Sequence, residues 1–123
     1  MITSRAALTK PPLRGEVWLV DFDPVKGDEI MKSRPAIVLS SDAIRPLKIK
    51  LVAPLTSWQE KFATCLWMVK IIADVSNGLE RDSAADALQL RCVSYERFTS
   101  KLGVVPGLIL DEITSAVAIV IEI

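Results

Sequence analysis

The sequence predicts a small, mainly β fold, a barrel or strongly curved antiparallel sheet with one C-terminal helix, and three observations carry that prediction. Five short runs rich in β-branched, aromatic and other apolar residues are separated by turn chemistry. No helical pattern falls between them to build strand–helix–strand units. One stretch near the C-terminus has apolar residues at helical spacing.

The elements follow in chain order. Residues 1–13 contain Thr, Ser, Lys and a Pro11-Pro12 pair without periodicity, which predicts a flexible lead-in to a single domain over residues 14–123. Glu16–Phe22 reads as a strand, ended by the turn-forming run Asp23-Pro24-Val25-Lys26-Gly27-Asp28. Ala36–Ser40, entered through Pro35, and Ile49–Leu55 read the same way, the second with Ile49, Leu51, Ala53 and Leu55 on one face. Leu66–Ile72 is apolar except for Lys70. Ala87–Val93 alternates, with Leu88, Leu90 and Cys92 on one side and Gln89 and Arg91 on the other; Asn77-Gly78 between these runs is a turn. Ser94 caps a short helical turn through Phe98. Leu110, Ile113, Val117 and Val120 predict a helix over Leu108–Val120, with Asp111 and Glu112 in its first turns suiting the helix dipole, although Ala116–Ile123 is β-branched enough to form a strand.

Composition bounds the chemistry. The chain has 123 residues and 13.5 kDa, a length for one hydrophobic core. Histidine is absent, which excludes Ser-His-Asp and Cys-His nucleophile pairs, imidazole acid–base chemistry and His-bearing zinc sites. Cys65 and Cys92 form no CxxC pair and are expected as small buried hydrophobes; Trp18 and Trp67 are expected in the core. The N-terminus shows no signal-peptide pattern, and the longest apolar run, Ala116–Ile121, is far shorter than the roughly 20 residues of a membrane span. A cytoplasmic protein with no membrane contact is expected. Fifteen Lys plus Arg balance fifteen Asp plus Glu, yet residues 26–50 hold six basic against three acidic, and residues 74–86 one basic against four acidic. A basic segment on a neutral chain can meet phosphates.

Within that segment Arg34 stands before Pro35, whose ring holds the preceding residue extended and so aims the arginine. Glu29 is five residues upstream in a turn-rich loop, and Thr56 leaves the end of the next strand. Arginine, hydroxyl and carboxylate together suit a phosphoryl group; the plainer alternative is an Arg34–Glu29 surface ion pair with Thr56 capping a turn. Trp58, beside Thr56, offers a ring on which a base can stack.

Four segments, RGEVWLVDFDPVKGDE (14–29), SRPAIVLSSD (33–42), VAPLTSW (52–58) and LERDSAADALQLRCVSYERF (79–98), resemble the MazF/PemK family of toxin endoribonucleases in order and spacing. That resemblance implies an SH3-like, CcdB/MazF-type small barrel with a C-terminal helix, a homodimer, a cognate antitoxin, and cofactor-free, metal-independent cleavage of single-stranded RNA. It puts the family's site arginine on Arg34, its threonine on Thr56 and its loop acid on Glu29, with Gln89 and Arg91 touching RNA; Lys32, Ser57 and Trp58 are further candidate RNA contacts beside these residues. The loop Ile30-Met31-Lys32-Ser33 departs from one subset of the family, which carries Gln and Gly there, so the base preference is open. Glu80-Arg81-Asp82-Ser83 resembles a structural turn of the family. The implied reaction is attack of a ribose 2′-hydroxyl on its own phosphate, giving 2′,3′-cyclic phosphate and 5′-hydroxyl ends. Arg34 stabilises the developing charge, Thr56 positions the phosphate, and Glu29 is the candidate base, since a guanidinium does not readily release a proton. The rival is a gyrase-binding toxin of the CcdB kind; those proteins depend on a C-terminal Trp-Gly-Ile, whereas this chain ends Ile121-Glu122-Ile123. A half-apolar composition on so small a chain supports a dimer and an antitoxin-binding face.

Overall fold

The structure is a computed structural model that describes residues 10–22, 33–44 and 47–123. Glu29 and Lys32, and the turn after the first strand, lie outside the described residues. Strands β1 (Glu16–Asp21), β2 (Ser33–Val38), β3 (Ile49–Ser57), β4 (Met68–Ile71), β5 (Ser83–Asp86), β6 (Arg91–Ser94) and β7 (Phe98–Val104) precede a helix, α1 (Gly107–Ile121). The order across the sheet is β4-β5-β3-β2-β1-β7, with β6 also on β3, and every ladder is antiparallel. Among the described residues no ladder joins β4 to β7, so the sheet curves without closing into a barrel.

Strand β3 is the pivot. Residues Ile49 to Val52 pair with β6, residues Leu55 to Ser57 pair with β5, and Ala53-Pro54 lies at the changeover. Proline has no N–H to give a ladder, which suits Pro54 to the point where one strand passes from one sheet to another. The expectation of one strand over Ala87–Val93 fails for a local reason. The Asp86 carboxylate accepts the Leu88 amide at 3.0 Å and starts a 3-10 turn at Ala87–Gln89, so only Arg91–Val93 of that run is strand, within β6; the residues before the turn form β5, a strand not expected from the sequence, and the turn lets both use the same edge of β3. Ser94 caps the turn Tyr95–Arg97 as expected, its hydroxyl accepting the Glu96 amide at 3.3 Å. Phe98–Val104, which carries no strand reading in the sequence, then pairs with β1; two register shifts in that ladder bend the edge.

The sheet buries both faces, which is why its strands read as nearly continuous apolar runs. Val17, Ile37, Ala53, Leu55 and Ala85 pack with Leu110, Ile113 and Ala116 of α1; Trp18, Val20, Ala36, Val38, Val52, Val93 and Phe98 form the opposite core. On β3 the face of Ile49, Leu51, Ala53 and Leu55 is buried at Ala53 and Leu55 and exposed at Ile49, while the opposite face is buried as well, at Lys50 and Val52. Trp18 is in the core, with its ring edge-on to Phe98 at 5.7 Å. Trp67, expected there, is exposed in the turn before edge strand β4, and the cysteines are not buried either: Cys65 is half-exposed and Cys92 exposed. The helix begins one residue earlier than predicted, so Asp111 and Glu112 fall beyond its first turn, where the dipole's attraction has faded. Before β1, Pro12 is fully buried and the Leu13 amide donates to Glu16 Oε1 at 2.8 Å. No helix among the described residues is long and apolar enough to cross a membrane.

Candidate active site

The β2–β3 ladder pairs Val38 with Val52, Ile37 with Ala53 and Ala36 with Pro54, and stops there. Continued in the same register it would set Arg34 opposite Thr56. Instead β3 goes on with β5, Thr56 pairing with Ala84 and Ser57 with Ser83, while β2 stays with β1, Arg34 pairing with Val20. The parting of β2 from β3 opens a cavity of about 740 Å³ lined by Ser33, Arg34, Pro35, Thr56, Ser57 and, from the facing loop, Glu80 and Arg81, with Leu19, Leu55, Leu79 and Leu102 as its main apolar lining. Arg34 and Thr56 are half-buried and Ser57 exposed, so their polar groups are held by backbone yet open to a ligand.

The facing wall is built from local hydrogen bonds. Asn77 is buried and its side chain carries the turn: Nδ2 donates to the Ile72 carbonyl at 2.9 Å, and Oδ1 accepts the amides of Asp74 and Leu79 at 3.1 and 3.0 Å. Asp74 answers by accepting the Asn77 amide at 2.8 Å. Gly78, at φ +69°, fits this turn against β7 so closely that a Cβ there would collide with the Leu102 carbonyl. From that anchor the loop runs through Glu80 and Arg81 to Asp82, whose carbonyl accepts the Trp58 amide at 3.0 Å and whose carboxylate accepts the Ala73 amide at 2.9 Å. The Ser83 hydroxyl donates to the Arg81 carbonyl at 3.1 Å. Arg81 and Glu80 are thus presented from a fixed turn.

Of the residues expected at the site, Arg34, Thr56 and Ser57 meet in this cavity. Trp58 follows them just outside, its indole N–H donating to Glu60 at 3.0 Å and its ring edge-on to Phe62. Gln89 and Arg91 lie apart from it. Gln89 sits in the 3-10 turn rather than on a strand and donates to Asp86 at 3.1 Å; Arg91 spreads its guanidinium over the Phe22 ring at 5.1 Å. Glu80 and Arg81, read from the sequence as part of a structural turn, are the lining residues that reading passed over; the signal was a charged run directly after Asn77-Gly78. Among the described residues no group of His, Cys, Asp or Glu is placed to hold a metal ion. A half-buried guanidinium, a strand-held hydroxyl and a second arginine across a groove form a donor set matched to phosphate oxygens.

The chain is similar to proteins of known family and structure. A family model described as PemK-like, MazF-like toxin of type II toxin-antitoxin system matches residues 13–121. Endoribonuclease MazF9 of Mycobacterium tuberculosis (strain ATCC 25618 / H37Rv) is 30% identical over 116 residues, 89% of this chain and 96% of its own length. Endoribonuclease EndoA of Bacillus subtilis (strain 168) is 32% identical over 107 residues, 86% and 90% of the two chains. The crystal structure of MazF (Form-I) from Deinococcus radiodurans superposes with TM-score 0.73 at 21% identity, covering 93% of this chain and 99% of that one. A mycobacterial endoribonuclease in complex with its cognate antitoxin superposes at 0.70 and 19% identity, covering 91% and 96%. The chain therefore shares the MazF fold.

Proposed function

The chain belongs to the PemK-like, MazF-like toxin family of type II toxin–antitoxin systems, and we propose that it is an endoribonuclease that cuts single-stranded RNA where β2 and β3 part. The observation that carries this reading is the early end of the β2–β3 ladder, which leaves Arg34 and Thr56 on the wall of one cavity.

In the proposed reaction a ribose 2′-oxygen attacks its own phosphorus, the bond to the 5′-oxygen of the next nucleotide breaks, and the products are a 2′,3′-cyclic phosphate and a 5′-hydroxyl. Arg34 donates forked hydrogen bonds to the non-bridging oxygens, whose charge grows as the phosphorane forms; in a preorganised site such donors are worth a few kcal/mol each. Thr56 and Ser57 hold the phosphate from the end of β3, and Arg81 adds positive charge from the facing loop. Glu29 takes the 2′-hydroxyl proton, and the departing 5′-oxygen takes one from water. The protons move between Glu29, the RNA and water, and no step calls for an added metal. Lys32, Trp58, Gln89 and Arg91 are proposed to contact the RNA strand on either side of the cut. A second copy of the chain and a cognate antitoxin complete the assembly, in the cytoplasm.

The test is incubation with a mixed RNA ladder in EDTA, followed by sequencing of the cut ends. Discrete cuts ending in cyclic phosphate are expected, and they reveal the recognition sequence at the same time. Intact RNA over a range of enzyme concentrations would reject the reading.

A further inference from the structure

The sheet registers carry the site beyond the cavity. Thr56 of β3 pairs with Ala84 of β5, and Ala84 pairs with Lys70 of β4, so Thr56, Ala84 and Lys70 form one transverse row on one face of the sheet. Arg34 is the position that would enter the same row on the other side of Thr56. At the usual strand spacing of about 4.8 Å, Lys70 stands roughly 10 Å from Thr56. Its side chain is exposed but leans on an aromatic ring: Nζ lies 5.1 Å from the centroid of the Trp58 ring. Trp58 is in turn fixed by its indole bond to Glu60, by the edge of Phe62 at 5.8 Å and by its amide bond to Asp82. Asp111 and Glu112 line the groove on the far side of Lys70, yet no described carboxylate forms an ion pair with it.

A lysine on an edge strand is often a guard against pairing with another sheet. An ammonium parked over a pinned tryptophan, with no ion pair among the described residues and in the row of Thr56, has the makings of a second phosphate contact.

We propose that Lys70, steered by the Trp58 ring, binds the phosphate of a nucleotide flanking the one that is cut, extending the RNA track from the cavity to the β4 edge over the side chains that cover Ala84, which is fully buried between Thr56 and Lys70. The backbone then crosses the strands along the Arg34–Thr56–Lys70 row, and a base next to that phosphate lies within reach of the indole. This rests on the endoribonuclease reading, from which the test separates it.

The experiment measures binding of full-length protein to a 2′-O-methyl RNA carrying the recognition sequence from the ladder; that RNA lacks the attacking hydroxyl and stays whole. Affinity is followed between about 0.05 and 0.2 M salt, because each phosphate contact on a single strand contributes about −0.7 to the slope of log K against log salt. Lys70→Gln is expected to bind severalfold more weakly and to flatten the slope by about 0.7, Lys70→Arg to keep both values, and Lys48→Gln, which removes an exposed lysine outside the row, to match the parent. A parent that cuts and binds while Lys70→Gln shows the same affinity and slope overturns the proposal and leaves the endoribonuclease reading standing. An equal loss in Lys48→Gln overturns it as well, by reducing the effect to overall charge. A parent that neither cuts nor binds overturns both.

Discussion

The two ends of strand β3 make a controlled comparison within one molecule. Toward its start the strand is flanked on both edges, by β6 over Ile49 to Val52 and by β2 over Val52 to Pro54, and the face between holds Val52 and even Lys50 out of water. Toward its end β5 continues on one edge, but β2 has gone, and Thr56 and Ser57 are left half-buried and exposed beside a cavity. The same strand thus does two jobs, and the difference lies in whether the second ladder is present. Rigid backbone on one side and open space on the other is what a site needs if it is to be both held and reachable. Substitutions at each end should therefore separate stability from chemistry.

The largest effect is expected in the closed half. Phe98 is fully buried against Trp18, and Phe98→Ala should cost about 3–5 kcal/mol of stability, read as a large fall in Tm, with cleavage by the protein that stays folded at low temperature little changed. Next comes the open half. Arg34→Ala should slow RNA cleavage in EDTA by about 10²–10³-fold, as for loss of a preorganised donor, while thermal unfolding shifts by no more than about 0.5 kcal/mol. If cleavage is undiminished in Arg34→Ala, or if Phe98→Ala slows the folded enzyme as much as it destabilises it, the two halves are not separable in this way.

Much of this contrast could be read in the residues. Pro35 after Arg34 and the hydroxyl pair after Leu55 pointed to residues that line the candidate cavity, and the helical spacing from Leu110 onward marked α1 despite a β-branched end. What stayed hidden was non-local. Gln89 and Arg91 looked like neighbours on one strand because alternation survives in sequence when a single carboxylate, Asp86, turns the chain with one hydrogen bond. Strand β7 was hidden because Thr99, Ser100 and Lys101 are polar and its apolar members, Phe98, Leu102 and Val104, are too few to show a period; its pairing with β1 settles it. Trp67 and both cysteines misled because an apolar residue is placed by what covers it, and beside edge strand β4 nothing among the described residues covers Trp67 fully. Arg81 and Glu80 joined the cavity through a turn whose stiffness comes from Asn77, and a residue's hydrogen bonds are not visible in a string of letters.

That turn is where the comparison can be sharpened, since Asn77 belongs to the buried framework yet supports the cavity's far wall. Asn77→Ala leaves the Ile72 carbonyl and the Asp74 and Leu79 amides short of a partner, and should cost about 1–3 kcal/mol. Unlike Phe98→Ala it should also lower the cleavage rate of the folded protein, because Glu80 and Arg81 lose their anchor. A stability loss with an unchanged rate would show that the far wall takes no part in the reaction.

The smallest effect belongs to the edge farthest from the chemistry in kind. Glu16, at the start of β1, is buried and outside the cavity lining; burial is the largest single influence on its carboxyl and pushes its pKa up. The Leu13 amide at 2.8 Å, the Trp18 indole at 2.9 Å and the Lys101 ammonium at 3.0 Å, with that ammonium's charge, together outweigh burial and hold the carboxyl below its ordinary 4.5. A carboxyl whose pKa is lowered by folding adds stability that is fully present above the unfolded value and is lost as pH falls through the folded one. The gap in Tm between the parent and Glu16→Gln should therefore be widest near neutral pH and close as pH drops below about 4.5, with RNA cleavage near neutrality the same in both. A gap that stays constant down to low pH would mean that Glu16 contributes through packing and neutral hydrogen bonds alone, and that the charge of Lys101 adds nothing to this end of the sheet.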